Sequence, residues 1–435
     1  MRKKSMFQYP YVIKAMDKYF GMHSPSSQNK KNPRKELYVN AKQKVTSKKK
    51  KLSILIATFW DYPHTGGLSN YITALSEGLR ELGHKVDIIS PNQFLTSEIT
   101  KMRKEVVPEL KAFFNERYGS YNSTIVKNYR NMYIYEMMLL KNTNLKKYDI
   151  FHAQDLFTAN ILGRINRFYR KSVLFTPHGM FTFNRVKFGI FKKDSLEEVY
   201  YKTLESKAIE FANQLIILSD SFRQPLMQLG AKQEKMTTVL TGIEYPEKYD
   251  AKNISAQKEI VITCVARLGP RKGHKILFDA LSQMERKYTE NIKVLIVGDG
   301  EMRDALEKQV VSLNLSMVEF LGERDDVPNI LSKTDIFVLP TLNDSLPISI
   351  IEAMHSGVCV ISTTSGGIPE LIHHEKTGIL VDVGDVNKLV HALQFVIENQ
   401  QDREQLGENA RNFANKYLTR KTMVAHIEKI YKGII

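Results

Sequence analysis

The stretch Pro340–Glu370, PTLNDSLPISIIEAMHSGVCVISTTSGGIPE, reads as a strand end, a loop, a short helix, a second strand and a glycine turn. Asp344 lies in the loop. Glu352 follows eight positions later, on a helix that Leu346 and Pro347 open, because proline is tolerated in the first turn of a helix. The backbone N–H groups around Ser345, Leu346 and Ile348 then lack helical partners, and such an N-terminus is an anion site suited to phosphate. By itself an acid pair of this kind reads more readily as a helix-capping Asp and a solvated helical Glu.

Outward from this stretch the chain alternates short apolar runs with segments of helical periodicity, the pattern of parallel sheets joined by crossover helices. In the second half the runs are EIVITCVARL, IKVLIVG (292–298), MVEFLG (317–322), DIFVLP (335–340) and CVIST (359–363). Arg267 and Lys272 follow the first of them in ARLGPRKGHK. Across a Gly-Pro loop a forked guanidinium and a point-charge ammonium five residues apart can converge on one diphosphate, with Arg271 offering a competing register. Gly298-Asp299-Gly300 follows a strand but stops short of a full GxGxxG, since Arg303 occupies the last position. Gly322 opens the GERDD turn.

The first half repeats the pattern with LSILIAT, HKVDIIS, YDIFHAQD (149–155), VLFTPHG (173–179), QLIILS (214–219) and MTTVLTGI (236–243). Gly66 and Gly67 fall where the first strand's carboxyl end meets a helix, the edge at which open α/β sheets bind ligands. His178 lies at another strand end and precedes GMFTFNRVKFGIFKK, read as a mobile loop. His152 and Asp155 share that edge and are weaker candidates for an acceptor site. Residues 95–147 read as helices rich in Lys, Arg and Tyr. Residues 244–258 are polar and aperiodic and read as a linker.

At 435 residues the chain has room for two domains with separate cores. The net charge of +16 is concentrated, because residues 1–50 hold fourteen Lys and Arg against Asp17 and Glu36. We read those fifty residues as a basic, disordered extension, with a surface helix over Met6–Phe20 interrupted by Pro10. A tail with no defined partner is the plainest reading; an anionic membrane leaflet is the first functional alternative and nucleic acid a less favoured one. Cys264 and Cys359 sit inside apolar runs, as buried thiols of a reducing compartment do. Neither a long apolar span nor a signal-peptide core is visible, so a cytoplasmic location is expected, peripheral to the inner face of a membrane.

The acidic-x7-acidic stretch, with Ala353-Met354, Gly357 and Gly366-Gly367-Ile368-Pro369-Glu370, resembles the signature of family 4 retaining nucleotide-sugar glycosyltransferases. The family usually has Glu where Asp344 stands and Gly in place of Ser345. The resemblance implies the GT-B fold, two doubly wound Rossmann-like domains facing each other across a cleft. An acceptor-side domain is expected over 51–243, a donor domain over 259–416, and a C-terminal helix at about 417–435 packing back on the first domain. By the same resemblance Glu352 holds the nucleotide ribose, Asp344 lies near the donor sugar, and Arg267 and Lys272 clamp the diphosphate. The loop Ser345–Ile348 and Gly66, Gly67, Gly298, Gly300 and Gly322 surround the donor, and His178 lies beside the anomeric centre. The implied donor is a nucleoside diphosphate sugar, UDP ahead of GDP, with a glycan or lipid-linked acceptor in cell-envelope or exopolysaccharide synthesis. No cofactor and no catalytic metal are expected, since the two cations and the helix N-terminus can neutralise the leaving diphosphate. The rival readings are a non-catalytic nucleotide-sugar-binding relative and a nucleic-acid-binding protein acting through its basic tail.

Overall fold

The computed structural model describes residues 7–22, 51–64, 66–246 and 259–435. The first half builds β1 (Ser53–Ala57), β2 (Lys85–Ile89), β3 (Ile150–Ala153), β4 (Ser172–Phe175), β5 (Gln214–Ile217) and β6 (Met236–Thr238). They form one parallel sheet in the order β2-β1-β3-β4-β5-β6. The second half builds β7 (Ile260–Val265), β8 (Ile292–Val297), β9 (Val318–Gly322), β10 (Ile336–Leu339), β11 (Cys359–Thr363) and β12 (Ile379–Val381). Their order is β12-β11-β10-β7-β8-β9, again all parallel. Only β12 lies outside the apolar runs singled out in the sequence. Strands β3, β4, β10 and β11 are buried at every position, as strands covered by helices on both faces must be.

Each order reverses once, between β1 and β3 in the first sheet and between β7 and β10 in the second. A crevice opens at the carboxyl ends where neighbouring connections leave on opposite faces. The loops after β1 and β3 carry Gly66, Gly67 and Gln154. Those after β7 and β10 carry Arg267, Lys272 and Asp344. Topology alone therefore brings the candidate residues of each half to one edge.

The helix Arg420–Gly433 crosses back to the first half, as expected. A Cβ at Gly78 would lie 2.6 Å from Val424 Cγ2, so the helix Gly67–Glu81 can receive it closely only because residue 78 has no side chain. Arg420 bonds Glu77 at 2.8 Å and Glu81 at 2.7 Å, His84 meets Glu428 at 3.0 Å, and Ser172 Oγ donates to the Ile434 carbonyl at 2.7 Å. Of the expected linker, residues 247–258 lie outside the described residues.

The N-terminal fifty residues need correction. Residues 7–22 belong to the folded first half rather than to an extension. Pro10 does not interrupt a helix but starts one, Pro10–Tyr19, where its missing N–H costs nothing. Tyr9, Val12 and Met16 are buried in the aromatic core formed by the helices Thr96–Tyr118, Ser123–Asn142 and Leu196–Phe211. Tyr9 Oη donates to Glu136 Oε2 at 2.9 Å, and Arg117 grips Asp17 through two bonds of 2.7 Å. The helices expected over 95–147 are present, but Phe114, Tyr129 and Tyr135 turn inward onto this core. Residues 1–6 and 23–50, which carry most of the basic charge, lie outside the described residues.

Candidate functional site

The helix Ile348–His355 begins one residue later than the sequence suggests, with Pro347 as its N-cap. Ser345 is not free, because its N–H donates to the Asp344 carboxylate at 3.1 Å. Among the described residues the N–H groups of Leu346 and Ile348 remain without a partner. The loop ahead of the helix is held from behind by the glycine turn, where Gly367 N–H donates to the Ser345 carbonyl at 2.8 Å. A Cβ on Gly366 would lie 1.8 Å from the Asp344 carbonyl oxygen. The Gly-Gly pair thus sets the position of Asp344.

Lys272 forms an ion pair with Asp344, which joins two residues 72 apart at the β7/β10 crevice. Arg267, largely exposed, bonds Glu301 Oε2 at 2.9 Å. Glu352 sits half-buried one turn into the helix, and among the described residues its carboxylate accepts no hydrogen bond. Burial pushes its carboxyl up to about 7. A carboxylate in this state gains from any ligand that donates to it. Gly298 and Gly300, expected near the nucleotide, have a packing role in the fold. A Cβ at either would lie 2.2 Å from the Ala266 carbonyl oxygen or 2.6 Å from that of Leu268, so they let the loops after β7 and β8 touch. Gly322 N–H lies in β9, its φ is 69°, and its carbonyl accepts from Gly298 N–H at 2.7 Å.

The first half meets this edge directly. Gly66 has a φ of 140° at the start of the helix Gly67–Glu81, and a Cβ on Gly67 would lie 3.7 Å from Ile348 Cδ1. Ser345 Oγ donates to the His178 carbonyl at 3.4 Å, and Asn343 bonds Asn184 at 3.1 Å. His178 Nε2 meets Gln154 Oε1 at 3.0 Å, and its ring lies edge-on to Tyr71 at 4.8 Å. Burial pushes its imidazole down to about 3, so it is neutral near pH 7. In that state His178 can exchange hydrogen bonds at the cleft edge.

Two candidates turn out to have internal roles. His152 is fully buried, with Nδ1 on Tyr431 Oη and Nε2 on Thr176 Oγ1, both at 2.7 Å, tying β3 to the C-terminal helix. Asp155 caps the helix Leu156–Tyr169, accepting from Phe157 and Thr158 N–H at 2.9 and 2.8 Å and from Phe59 N–H at 2.6 Å. The loop read as mobile after His178 contains the helix Phe181–Lys187, whose first N–H groups donate to Glu205 at 2.8 and 3.2 Å. Sequence reasoning missed Gln154, Asn184 and Glu370. Glu370 accepts from Asp220 N–H at 2.7 Å across the two halves. Its place in GGIPE was the one available signal. Among the described residues no cluster of three or more His, Cys, Asp or Glu is arranged to hold a metal ion. Cys264 and Cys359 are free and buried, their thiols pushed up to about 12.

Residues 65–245 match the family model described as Glycosyltransferase Family 4, and residues 246–413 match Glycosyl transferases group 1. The chain is 30% identical over 325 residues to UDP-Gal:alpha-D-GlcNAc-diphosphoundecaprenol alpha-1,3-galactosyltransferase of Escherichia coli, covering 71% of this chain and 80% of that protein. It is 24% identical to N-acetyl-alpha-D-glucosaminyl L-malate synthase of Bacillus anthracis, covering 86% and 96%. Among solved structures, sucrose-phosphate synthase from Thermosynechococcus elongatus aligns with a TM-score of 0.71 at 20% identity, over 88% of this chain and 98% of that one. HepE from Anabaena in complex with UDP and glucose aligns with a TM-score of 0.65 at 19% identity, over 88% and 100%.

Proposed function

The chain belongs to glycosyltransferase family 4, with the GT-B fold expected from its sequence, and from that premise we propose how its two halves divide the transfer reaction. Residues 259–416 bind a nucleoside diphosphate sugar, residues 51–243 present the acceptor, and residues 244–258 link them. The observation that carries this reading is Glu352, a half-buried carboxylate without a donor among the described residues, on the helix at whose start the N–H groups of Leu346 and Ile348 are unpaired and whose preceding loop holds the Asp344–Lys272 ion pair. A ribose diol supplies the donors that Glu352 lacks, and a diphosphate supplies the charge that the N–H groups and cations attract.

In the reaction the bond from the anomeric carbon to the phosphate oxygen breaks, its electron pair leaving with the diphosphate. Arg267, Lys272 and the helix N-terminus stabilise that charge. The acceptor hydroxyl oxygen bonds the anomeric carbon from the same face, and its proton passes to the departing phosphate oxygen. Asp155 and Glu205, the carboxylates in the cavity beside His178, are both held by backbone N–H groups, which supports this route over a covalent carboxylate intermediate. The E. coli relative, named for a UDP-Gal donor and a diphosphoundecaprenol-linked acceptor, supports a UDP-sugar donor and a lipid-linked acceptor here; to these our reading adds a role in envelope glycan synthesis at an anionic membrane surface. Among the described residues no helix is long and apolar enough to cross a membrane.

A thermal-shift panel of UDP-, GDP- and ADP-sugars tests the donor assignment. A true donor at 100 times its Kd stabilises by about 2.7 kcal/mol. Stabilisation should shrink with Arg267→Ala or Glu352→Gln. If both variants respond like the native chain, the donor site lies elsewhere.

A further inference from the structure

Beside His178 lies a cavity of about 310 Å³, the low end of the range for small-molecule pockets. It is lined by an arginine from each half of the chain, Arg185 on the helix Phe181–Lys187 and Arg271 in the loop after β7. Among the described residues neither guanidinium forms an ion pair. Arg185 Nη1 reaches only the Phe181 carbonyl, at 3.4 Å, while its guanidinium stacks on the Phe181 ring. Burial above all, with a contribution from the charge of Arg271, holds Arg185 below its ordinary value. The acids near this pair are Glu205 and Asp155 in the cavity and Glu301 beyond Arg271. Glu205 and Asp155 are engaged by backbone N–H groups, and Glu301 is engaged by Arg267.

A third donor lines the same cavity. Gln154 is 1% exposed, and with Oε1 on His178 its Nε2 has no partner among the described residues. A buried amide donor left unpaired is costly, and two like charges at one cavity repel, so both call for the same occupant, a group rich in acceptor oxygens and negative charge. The cavity's rim is apolar. Phe188 and Ile190 line it and are exposed to 36% and 68%, with Lys187, Lys192 and Lys193 exposed around them. Exposed apolar side chains among lysines suit an apolar chain attached to an anionic head.

We propose that this cavity is an acceptor subsite for a phosphate or diphosphate borne on an apolar chain, held by Arg185, Arg271 and Gln154, with Phe188 and Ile190 receiving the chain. The assignment rests on the reading that the acceptor binds the first half. It places the acceptor's anion beside His178 and apart from the Glu352 ribose site, so the two substrates' phosphates are bound by different residues.

Trp60, the single tryptophan of the chain, also lines the cavity and reports on it. The full-length protein is titrated with farnesyl diphosphate, inorganic pyrophosphate and farnesol while Trp60 fluorescence is followed. Farnesyl diphosphate should change the emission saturably. Arg185→Ala should weaken it at least tenfold, Arg185→Lys should recover part of the loss, and Phe188→Ser with Ile190→Ser should bring its affinity down toward that of pyrophosphate. Farnesol binding should be insensitive to Arg185→Ala. Circular dichroism and melting of each variant confirm its fold. Farnesol binding as tightly as farnesyl diphosphate would overturn the anion subsite, as would native affinity for farnesyl diphosphate in both Arg185→Ala and Arg271→Ala. Loss of farnesyl diphosphate binding with Arg267→Ala but not with Arg185→Ala would move the anion to the other site and end the proposal. The nucleotide-sugar panel run on the same preparations separates the two readings: nucleotide-sugar binding together with no Trp60 response to farnesyl diphosphate refutes the acceptor subsite alone, and no nucleotide-sugar binding refutes the donor assignment.

Discussion

Burial displaces Glu352 and His178 in opposite directions on the pH scale, holding each toward its neutral form. The Glu352 carboxyl, at about 7 when folded against an ordinary value near 4.5, keeps its proton longer in the folded chain. Its contribution to stability is therefore greatest at low pH and falls as pH rises from the unfolded value through about 7. Ribose hydroxyls bond an ionised carboxylate more strongly than a protonated carboxyl, so nucleotide binding should draw Glu352 toward its ionised form. Nucleoside diphosphate affinity should rise several-fold from pH 6 to pH 8, and Glu352→Gln should bind more weakly and lose that added pH dependence, by calorimetry at both pH values. An equal slope in the two proteins would assign the titration to the ligand's phosphate alone. His178 is neutral over the same range, so His178→Ala should lower kcat several-fold with nucleotide affinity unchanged and no altered pH profile. Arg267→Ala should cost about 3 kcal/mol of transition-state stabilisation, read from kcat/KM. These residues were legible because each stands in a short motif, His178 in TPHG, Arg267 in RLGPRK and Glu352 in the acidic-x7-acidic stretch, although the groups they touch are distant. Gln154, Arg185 and Glu370 were not, because what gives each its meaning lies 24, 86 and 150 residues away, at His178, Arg271 and Asp220.

At the scale of elements, short apolar runs announced eleven of the twelve strands among the described residues; β3, β4, β10 and β11, buried on both faces, leave no polar register to obscure them, while β2 and β9, with exposed positions, were placed by their spacing between helical segments. Amphipathic segments were harder, because a stripe of apolar side chains does not say what will cover it. The helix Pro10–Tyr19 reads as a surface helix until Tyr9, Val12 and Met16 are seen closing the core over the helix Ser123–Asn142. The helix Phe181–Lys187 hides for a related reason, its N-terminus being capped by Glu205 from a helix further along the chain. Tyr9→Ala should therefore destabilise the fold by about 3–5 kcal/mol, the cost of emptying a large aromatic site in a core. Tyr9→Phe, which keeps the ring and removes the hydroxyl's bond to Glu136 with its longer contact to the Met132 carbonyl, should cost about 1–3 kcal/mol. Chemical denaturation measures both. Native midpoints in both variants would return residues 7–22 to the status of an appendage.

At the scale of the whole molecule the charge is divided unevenly, with fourteen of the basic side chains against two acids in residues 1–50. Because part of that segment is folded into the first half, removing it all would confound loss of charge with loss of core. Neutralisation is the cleaner test. Each lysine near an anionic leaflet contributes about 1 kcal/mol, so Lys48→Gln, Lys49→Gln and Lys50→Gln together should remove about 3 kcal/mol, on the order of 100-fold in partitioning. Co-sedimentation with vesicles of mixed anionic and neutral lipid should show binding of the full chain that weakens as salt shortens the Debye length. The triple variant should bind markedly less, and Phe188→Ser with Ile190→Ser should reduce the salt-resistant remainder, because apolar burial at the rim is not screened. If the triple variant sediments like the native chain while the rim variant does not, the attachment belongs to the cleft mouth and not to the basic segment. If neither protein sediments with anionic vesicles, the acceptor must reach the cavity from solution, and the lysines at Lys187, Lys192 and Lys193 serve the bound anion rather than a surface.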